Sequence, residues 1–278
     1  MEWDEMMNQA LKYVETHLNK NLSAEELAPT LGCSVYNFQR LFSFITGYSF
    51  AYYVRRRIMA EALKDLQKKD SNVTDIALKY GYSTPSTFEK AFRLNFGFSP
   101  SESKDEGRVL ESFTPLYFHS EMKGNIIMNY SIKKKGALVL SGVSEAFTNV
   151  NGENFKAIPE FWAKEAKKGT LEKLYKGAKG VYGVCYNFST DCTKFSYMIG
   201  VAGEKEGFEL LKIKPQEYAV FLCHGLKDLQ ETTRKIFGEW LPSSGYEHAD
   251  SPELEFYPTV GEDDETMACE IWIPIVKK

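Results

Sequence analysis

The chain has 278 residues, 43% of them hydrophobic and 26% charged, with 34 Lys and Arg against 38 Asp and Glu for a net charge of −4. This is the balance of a soluble globular protein, long enough for two domains. No apolar run reaches the roughly 20 residues a membrane helix needs, and the start Met1-Glu2-Trp3-Asp4-Glu5 is acidic where a secretory leader is basic, so the chain is read as cytoplasmic.

The charge is unevenly spread. Residues 31–104 hold eleven Lys/Arg against six Asp/Glu, a balance of +5, whereas residues 109–278 hold twenty against twenty-four, a balance of −4. A basic unit ahead of an acidic one fits a DNA-binding module tied to something else. Cys33, Cys185, Cys192, Cys223 and Cys269 are an odd count without short paired spacings and are read as reduced core residues. Four histidines, with Cys223-His224 as the one Cys/His neighbour pair, are too few for a zinc site, and no metal or cofactor is expected.

In chain order, Trp3, Met7, Ala10, Leu11, Val14 and Leu18 recur at helical spacing and should cap a core. A repeat follows. Leu27-Ala28 matches Ile76-Ala77 and Gly32 matches Gly81 at an offset of 49; Phe38, Arg40, Phe42, Gly47 and Ser49 then match Phe88, Lys90, Phe92, Gly97 and Ser99 at an offset of 50. Each copy reads as two helices joined by a glycine in the left-handed conformation. Ser23 and Glu26 form a capping box, Thr74 is the cap expected in the second copy, and Ser34 and either Ser83 or Thr84 start the second helices. Phe38, Leu41 and Phe42, with Phe88, Ala91 and Phe92, are the buried stripes. By elimination Val35, Tyr36, Asn37, Gln39 and Arg40 face outward, as do Pro85, Ser86, Thr87, Glu89 and Lys90. Such residues suit base edges and phosphates, and helix-turn-helix units place their second helix in the major groove. The helical spacer "FAYYVRRRIMAEALKDLQ" buries Val54, Ile58, Ala62 and Leu66 and fans out Arg55, Arg56 and Arg57, one or two toward phosphate and the rest toward acids such as Glu61.

Residues 5–104 resemble the DNA-binding domain of the AraC/XylS family, on the leading "LA", "GCS", "FQRLF", "RR" and closing "GFSP" segments in order. The resemblance implies that Tyr36, Gln39 and Arg40 on one helix and Ser86, Thr87 and Lys90 on the other meet neighbouring major-groove segments about 34 Å apart; the helix starts Ser34 and Thr84 and the outward Asn37 join them as candidate DNA contacts. Glu89, an acid on the second reading helix, and Lys104, where the family carries a Tyr-Arg ending, depart from that pattern.

Residues 105–125 lose helical periodicity and read as a linker. Beyond them "IIMNYSIK", "ALVLSGV", "GVYGVCYNF", "FSYMIGVAG", "KIKPQEYAVFLCHG", "PELEFYPTV" and "ACEIWIPIV" are strand-like, and "NGENFKAIPEFWAKEAKKG" and "LKDLQETTRKIFGEWL" are helical. The fold class is therefore multidomain: an all-α double helix-turn-helix domain (1–105), a linker (106–125), and an α+β domain (126–278) of two strand-helix-strand-strand repeats in an antiparallel sheet with both helices on one face. Alternation in "ACEIWIPI" puts Cys269, Ile271 and Ile273 under the helices and Glu270, Trp272 and Pro274 on the opposite face, expected as a groove. Phe161, Trp162, Tyr182, Tyr186 and Tyr197 are candidates to line it, with core packing the competing explanation.

Residues 126–278 resemble the GyrI-like effector-binding domain of Rob-type and drug-sensing regulators, through "IPEFW", "YGVCYNF", "FSYMIGV", "PQEYAVFLCHG" and "CEIWIPI". The resemblance implies a pocket for an apolar, often cationic small molecule, with Glu270 as its acid. Three readings compete. The first is a sequence-specific DNA-binding transcription regulator, not an enzyme, whose effector alters DNA affinity or contact with RNA polymerase. The second is a hydrolase of strained electrophilic rings with Glu270 as general base and Trp272 or Trp162 holding the substrate. In the third, the open sheet face is a protein interface.

Overall fold

The computed structural model describes residues 3–20, 22–105, 110, 113–117, 128–258 and 268–278. Most of the predicted linker (106–125), the first two residues of "IIMNYSIK" and the Trp3 side chain lie outside the described residues. The helices in chain order are α1 (Trp3–Thr16), α2 (Ala24–Thr30), α3 (Val35–Thr46), α4 (Phe50–Leu66), α5 (Val73–Lys79), α6 (Pro85–Phe96), α7 (Asn154–Lys167), α8 (Thr170–Tyr175) and α9 (Gly225–Lys235). The strands are β1 (Tyr130–Lys135), β2 (Leu138–Thr148), β3 (Val181–Tyr186), β4 (Lys194–Ala202), β5 (Glu209–Ile213), β6 (Gln216–His224), β7 (Tyr246–His248), β8 (Glu253–Tyr257) and β9 (Ala268–Lys277). By contact density the chain divides into one unit of Met1–Gly32 with Phe50–Met122 and a second of Cys33–Ser49 with Lys123–Lys278. Against the expected 1–105 domain, the segment Cys33–Ser49, which carries α3, groups with the second unit.

In the first unit the predicted stripes are buried: Met7, Ala10, Leu11 and Val14 on α1, and Val54, Ile58, Ala62 and Leu66 on α4. Ser23 caps α2 by accepting the Glu26 N–H (3.3 Å). The cap of α5 is Asn72, accepting from the Thr74 N–H, so Thr74 is the second helical residue rather than the cap. Gly81 (φ 79°) makes the left-handed joint, and Thr84 caps α6, which buries Phe88 and Phe92. Arg57 is sealed in the core with its guanidinium on Glu15 (2.6 Å) and Glu61 (2.8 Å), as its neighbours on the helix predicted. Arg56 donates to the Asn95 carbonyl, and Arg55 remains exposed.

The second unit is built on an antiparallel sheet of order β1-β6-β9-β8-β3-β4-β2-β5, with β7 beside the end of β9. The repeats β2-α7-β3-β4 and β6-α9-β8-β9 occupy opposite halves and meet at the central pair β3–β8. The predicted strand "KIKPQEYAVFLCHG" is two: β5 ends at Ile213 and β6 begins at Gln216, because Pro215 has no N–H for a continuous ladder. Both repeat helices cover one face, where Phe161 of α7 packs on Phe147 and Trp240, in the π-helical turn after α9, packs edge-on against Phe221.

The opposite face corrects the expected groove. Leu140, Tyr182, Val184, Met198, Ile213, Tyr218, Val220, Leu254 and Trp272, contributed by seven strands, form a closed hydrophobic core there. The reduced-cysteine reading is corrected as well: strand pairing sets Cys223 opposite Cys269, 5.3 Å apart at Cα and joined as a disulfide. A separation of 46 residues hid that pairing, while Cys33, Cys185 and Cys192 form no disulfide among the described residues. Among the described residues no helix is long and apolar enough to cross a membrane, and no cluster of three metal-ligating side chains occurs.

Candidate functional site

On α6 the hydroxyl of Thr84 accepts the Thr87 N–H (3.2 Å), which fixes the start of the helix and leaves Ser86, Thr87 and Lys90 exposed beside Thr84. Glu89, the misplaced acid of the sequence, is answered by Arg93 one turn on (3.4 Å).

The equivalent face of α3 is not exposed. Asn37, Gln39 and Arg40 are 4%, 9% and 5% accessible, which corrects the outward placement derived by elimination. Polar residues bury when acceptors meet them, and here they do. Arg40 grips Glu253 with two bonds, Nε to Oε1 (2.7 Å) and Nη2 to Oε2 (2.9 Å), while its guanidinium lies against the rings of Phe237 (4.6 Å), Phe188 (4.7 Å) and Phe44 (5.4 Å). Asn37 Oδ1 accepts the backbone N–H of His248, and the backbone N–H of Ser34 donates to both Glu247 oxygens. Ser43 donates to the Cys192 carbonyl. Tyr36 stacks at a tilt on His248, and its buried hydroxyl has no hydrogen-bond partner among the described residues. Val35, Tyr36 and Gln39 line a cavity of about 350 Å³ with Phe188, Ser189, Thr190 and Asp250. Burial alone would raise the Glu253 carboxyl pKa, but the Arg40 charge and the His248 hydrogen bond hold it below the usual range.

The aromatic candidates separate onto the two faces of the sheet. Tyr182, Tyr186 and Trp272 belong to the closed core on the face away from the helices. Glu270 is on that face too, bonded to Lys133 Nζ (3.1 Å) and to Trp272 Nε1 (2.8 Å), with Lys133 and Lys135 lying over the indole at 5.0 and 4.9 Å. It is therefore an acid already matched by Lys133, not the lone carboxylate among aromatics that the sequence suggested.

Phe161, Trp162 and Tyr197 lie on the helix-covered face, around an acid the sequence reading missed. Trp162 Nε1 donates to the Tyr197 hydroxyl (3.1 Å), which donates to Glu255 Oε2 (2.7 Å); the Tyr257 hydroxyl donates to the same oxygen (3.1 Å). Gly183, paired with Glu255 across β3–β8, leaves the space these groups need: an added Cβ would stand 2.1 Å from the Tyr197 hydroxyl. Among the described residues no cation pairs with Glu255. Burial raises its pKa; the two phenol bonds oppose that rise, and neighbouring Glu253 adds to it. Burial and the Glu255 charge push both phenols well above their ordinary range. Alternation in "ELEFY" was the available signal, since it places Glu253, Glu255 and Tyr257 together on the helix-covered face and Leu254 and Phe256 on the other.

Paired helix-turn-helix copies ahead of a sheet domain whose buried acid meets aromatics, and no cation among the described residues, define a DNA-binding regulator with a ligand-binding half. The family described as "GyrI-like small molecule binding domain" matches residues 128–276, and a helix-turn-helix domain family matches residues 27–106. The probable transcription factor PqrA of Proteus vulgaris is 36% identical over 38% of this chain and 88% of its own length. The transcriptional activator AarP of Providencia stuartii is 36% identical over 34% of this chain and 71% of its own. Among solved structures, SAV2435 bound to tetraphenylphosphonium is similar at 23% identity, covering 54% of this chain and 94% of that one at a TM-score of 0.47. The chain belongs to the GyrI-like family, here joined to an AraC-type helix-turn-helix domain.

Proposed function

We propose that the protein is a cytoplasmic transcription regulator that reads DNA with α6 through Thr84, Ser86, Thr87 and Lys90, and takes up an apolar organic cation at Glu255. One observation carries the ligand reading. A carboxylate held by two phenols and ringed by Trp162, Tyr197 and Tyr257, with no cation paired to it among the described residues, lacks the charge its burial calls for. A lipophilic cation supplies that charge, and its apolar body meets aromatic faces that attract cations. Of the expected effector residues, Phe161, Trp162 and Tyr197 belong to this reading; Glu270, Trp272, Tyr182 and Tyr186 are structural. We read the domain as binding its ligand without turning it over, since Glu270, the expected general base, is committed to Lys133.

The test uses quenching of tryptophan fluorescence by an aromatic quaternary ammonium ion and by its uncharged carbon isostere. The charged compound should bind at least about tenfold more tightly, and Glu255→Gln should abolish the difference. Equal affinity for both compounds, or an unchanged preference in the variant, refutes the cation reading. Product formed beyond one equivalent would make the domain an enzyme.

A further inference from the structure

The two copies of the helix-turn-helix repeat differ in the fate of one cation. Lys90 on α6 is exposed, whereas its repeat partner Arg40 on α3 is 5% accessible and held by Glu253. The groups that hold α3 resemble what DNA would offer it. Glu247 accepts the backbone N–H at the amino end of α3, the place where helices of DNA-binding proteins receive a phosphate oxygen. Glu253 takes the Arg40 guanidinium in the same two-pronged way that guanine presents O6 and N7 to arginine. His248 and Cys192 engage Asn37 and Ser43 through their main chain. We infer that the 247–253 segment of the second unit is an internal stand-in for DNA, which occupies the reading face of α3 and competes with a duplex for Arg40. One guanidinium cannot make both pairs of bonds, so α3 reads bases only after Glu253 releases it. This rests on the reading of α3 and α6 as DNA-contacting helices. It predicts that the chain as found contacts DNA through α6 alone.

The experiment compares wild type, Glu253→Gln and Glu247→Gln, each as the full chain, in selecting duplexes from a random-sequence pool. Wild type should enrich one short element. Glu253→Gln should enrich a bipartite element with a second part about one helical turn away, bind it at least about tenfold more tightly than wild type does, and lose affinity more steeply with salt. Glu247→Gln, which leaves the buried Arg40 pair intact, should move part of the way and covers the case of a Glu253 variant that fails to fold. Phenylglyoxal modification of Arg40, followed by mass spectrometry, should be slow in wild type and fast in Glu253→Gln. A bipartite element already selected by wild type overturns the inference, and so does a Glu253→Gln chain with wild-type affinity, element and Arg40 reactivity. Lys90→Ala separates the two readings: unchanged selection by that variant refutes DNA reading by α6, while Arg40 reactivity still judges the docking.

Discussion

Replacing Gly183 by alanine probes the ligand-binding half without substituting any side chain that would meet a ligand. The added Cβ falls 2.1 Å from the Tyr197 hydroxyl oxygen and 2.5 Å from Glu255 Oε2, where ordinary contacts begin at 3.4 Å. The hydroxyl must retreat by about 1.3 Å, which breaks its 2.7 Å bond to the carboxylate. Overpacking of this kind costs about 1–3 kcal/mol, and a lost hydrogen bond to a charged group about 1.5–3 kcal/mol. With partial relaxation the sum is about 3 kcal/mol, or roughly 6–12 °C in melting temperature for a unit of this size. Thermal unfolding followed by circular dichroism measures the first effect, and fluorescence titration with the quaternary ammonium probe should show affinity lowered about tenfold. Gly142→Ala is the control, because its Cβ would strike the Ile199 carbonyl (2.2 Å) on the opposite face; it should destabilise the sheet yet leave affinity of the folded protein unchanged. Adding Tyr197→Phe to Gly183→Ala removes the nearest clashing atom and should restore part of the lost stability. A Gly183→Ala protein with wild-type melting and wild-type affinity refutes the placement of Tyr197 and Glu255.

Glu270→Gln should change probe affinity by less than about twofold in the same titration, because Lys133 already answers that acid. Arg57→Met should destabilise the helical unit by about 3 kcal/mol in denaturant unfolding, since it leaves Glu15 without the guanidinium that pairs with it, while Glu61 keeps Lys64. The raised pKa of Glu255 means that the folded chain holds that proton more tightly than the unfolded one. Its contribution therefore favours folding most at low pH, and stability falls as pH climbs from the unfolded value of about 4.3 through the raised folded value. Glu255→Gln should remove that part of the pH slope in calorimetry.

Local rules carried the sequence reading a long way. The caps at Ser23, Ser34 and Thr84, the joint at Gly81 and the stripes of α1, α4 and α6 all depend on residues within a turn or two of each other. So does the inward and outward alternation of β9, which sorted Ile271 from Trp272 correctly. What failed depended on partners far along the chain. The polar face of α3 looks solvent-exposed by pattern, and it is buried because Glu247, His248 and Glu253 arrive from more than 200 residues away. Glu270 and Glu255 are both acids in alternating strands. Only packing tells them apart, since Lys133 of β1 reaches the first and two phenols reach the second. The expected pocket combined residues whose types were right but whose faces differ, and the face of Tyr197 relative to Tyr182 follows from the β3–β4 register, where Cys185 and not Tyr186 stands opposite Tyr197.

Helix α3 is encoded in one half of the chain and buried with the other. Cutting the polypeptide at the boundary its sequence suggests, near residue 126, would harm both pieces. The carboxy-terminal fragment would keep Glu253 without the guanidinium that compensates it, a deficit of about 3–5 kcal/mol for a buried acid. The amino-terminal fragment would present Phe44, which packs on Phe237 in the intact chain, to water. Fragments intended for biophysical work or crystallisation should be supplied together, so that each can restore the surface the other lost.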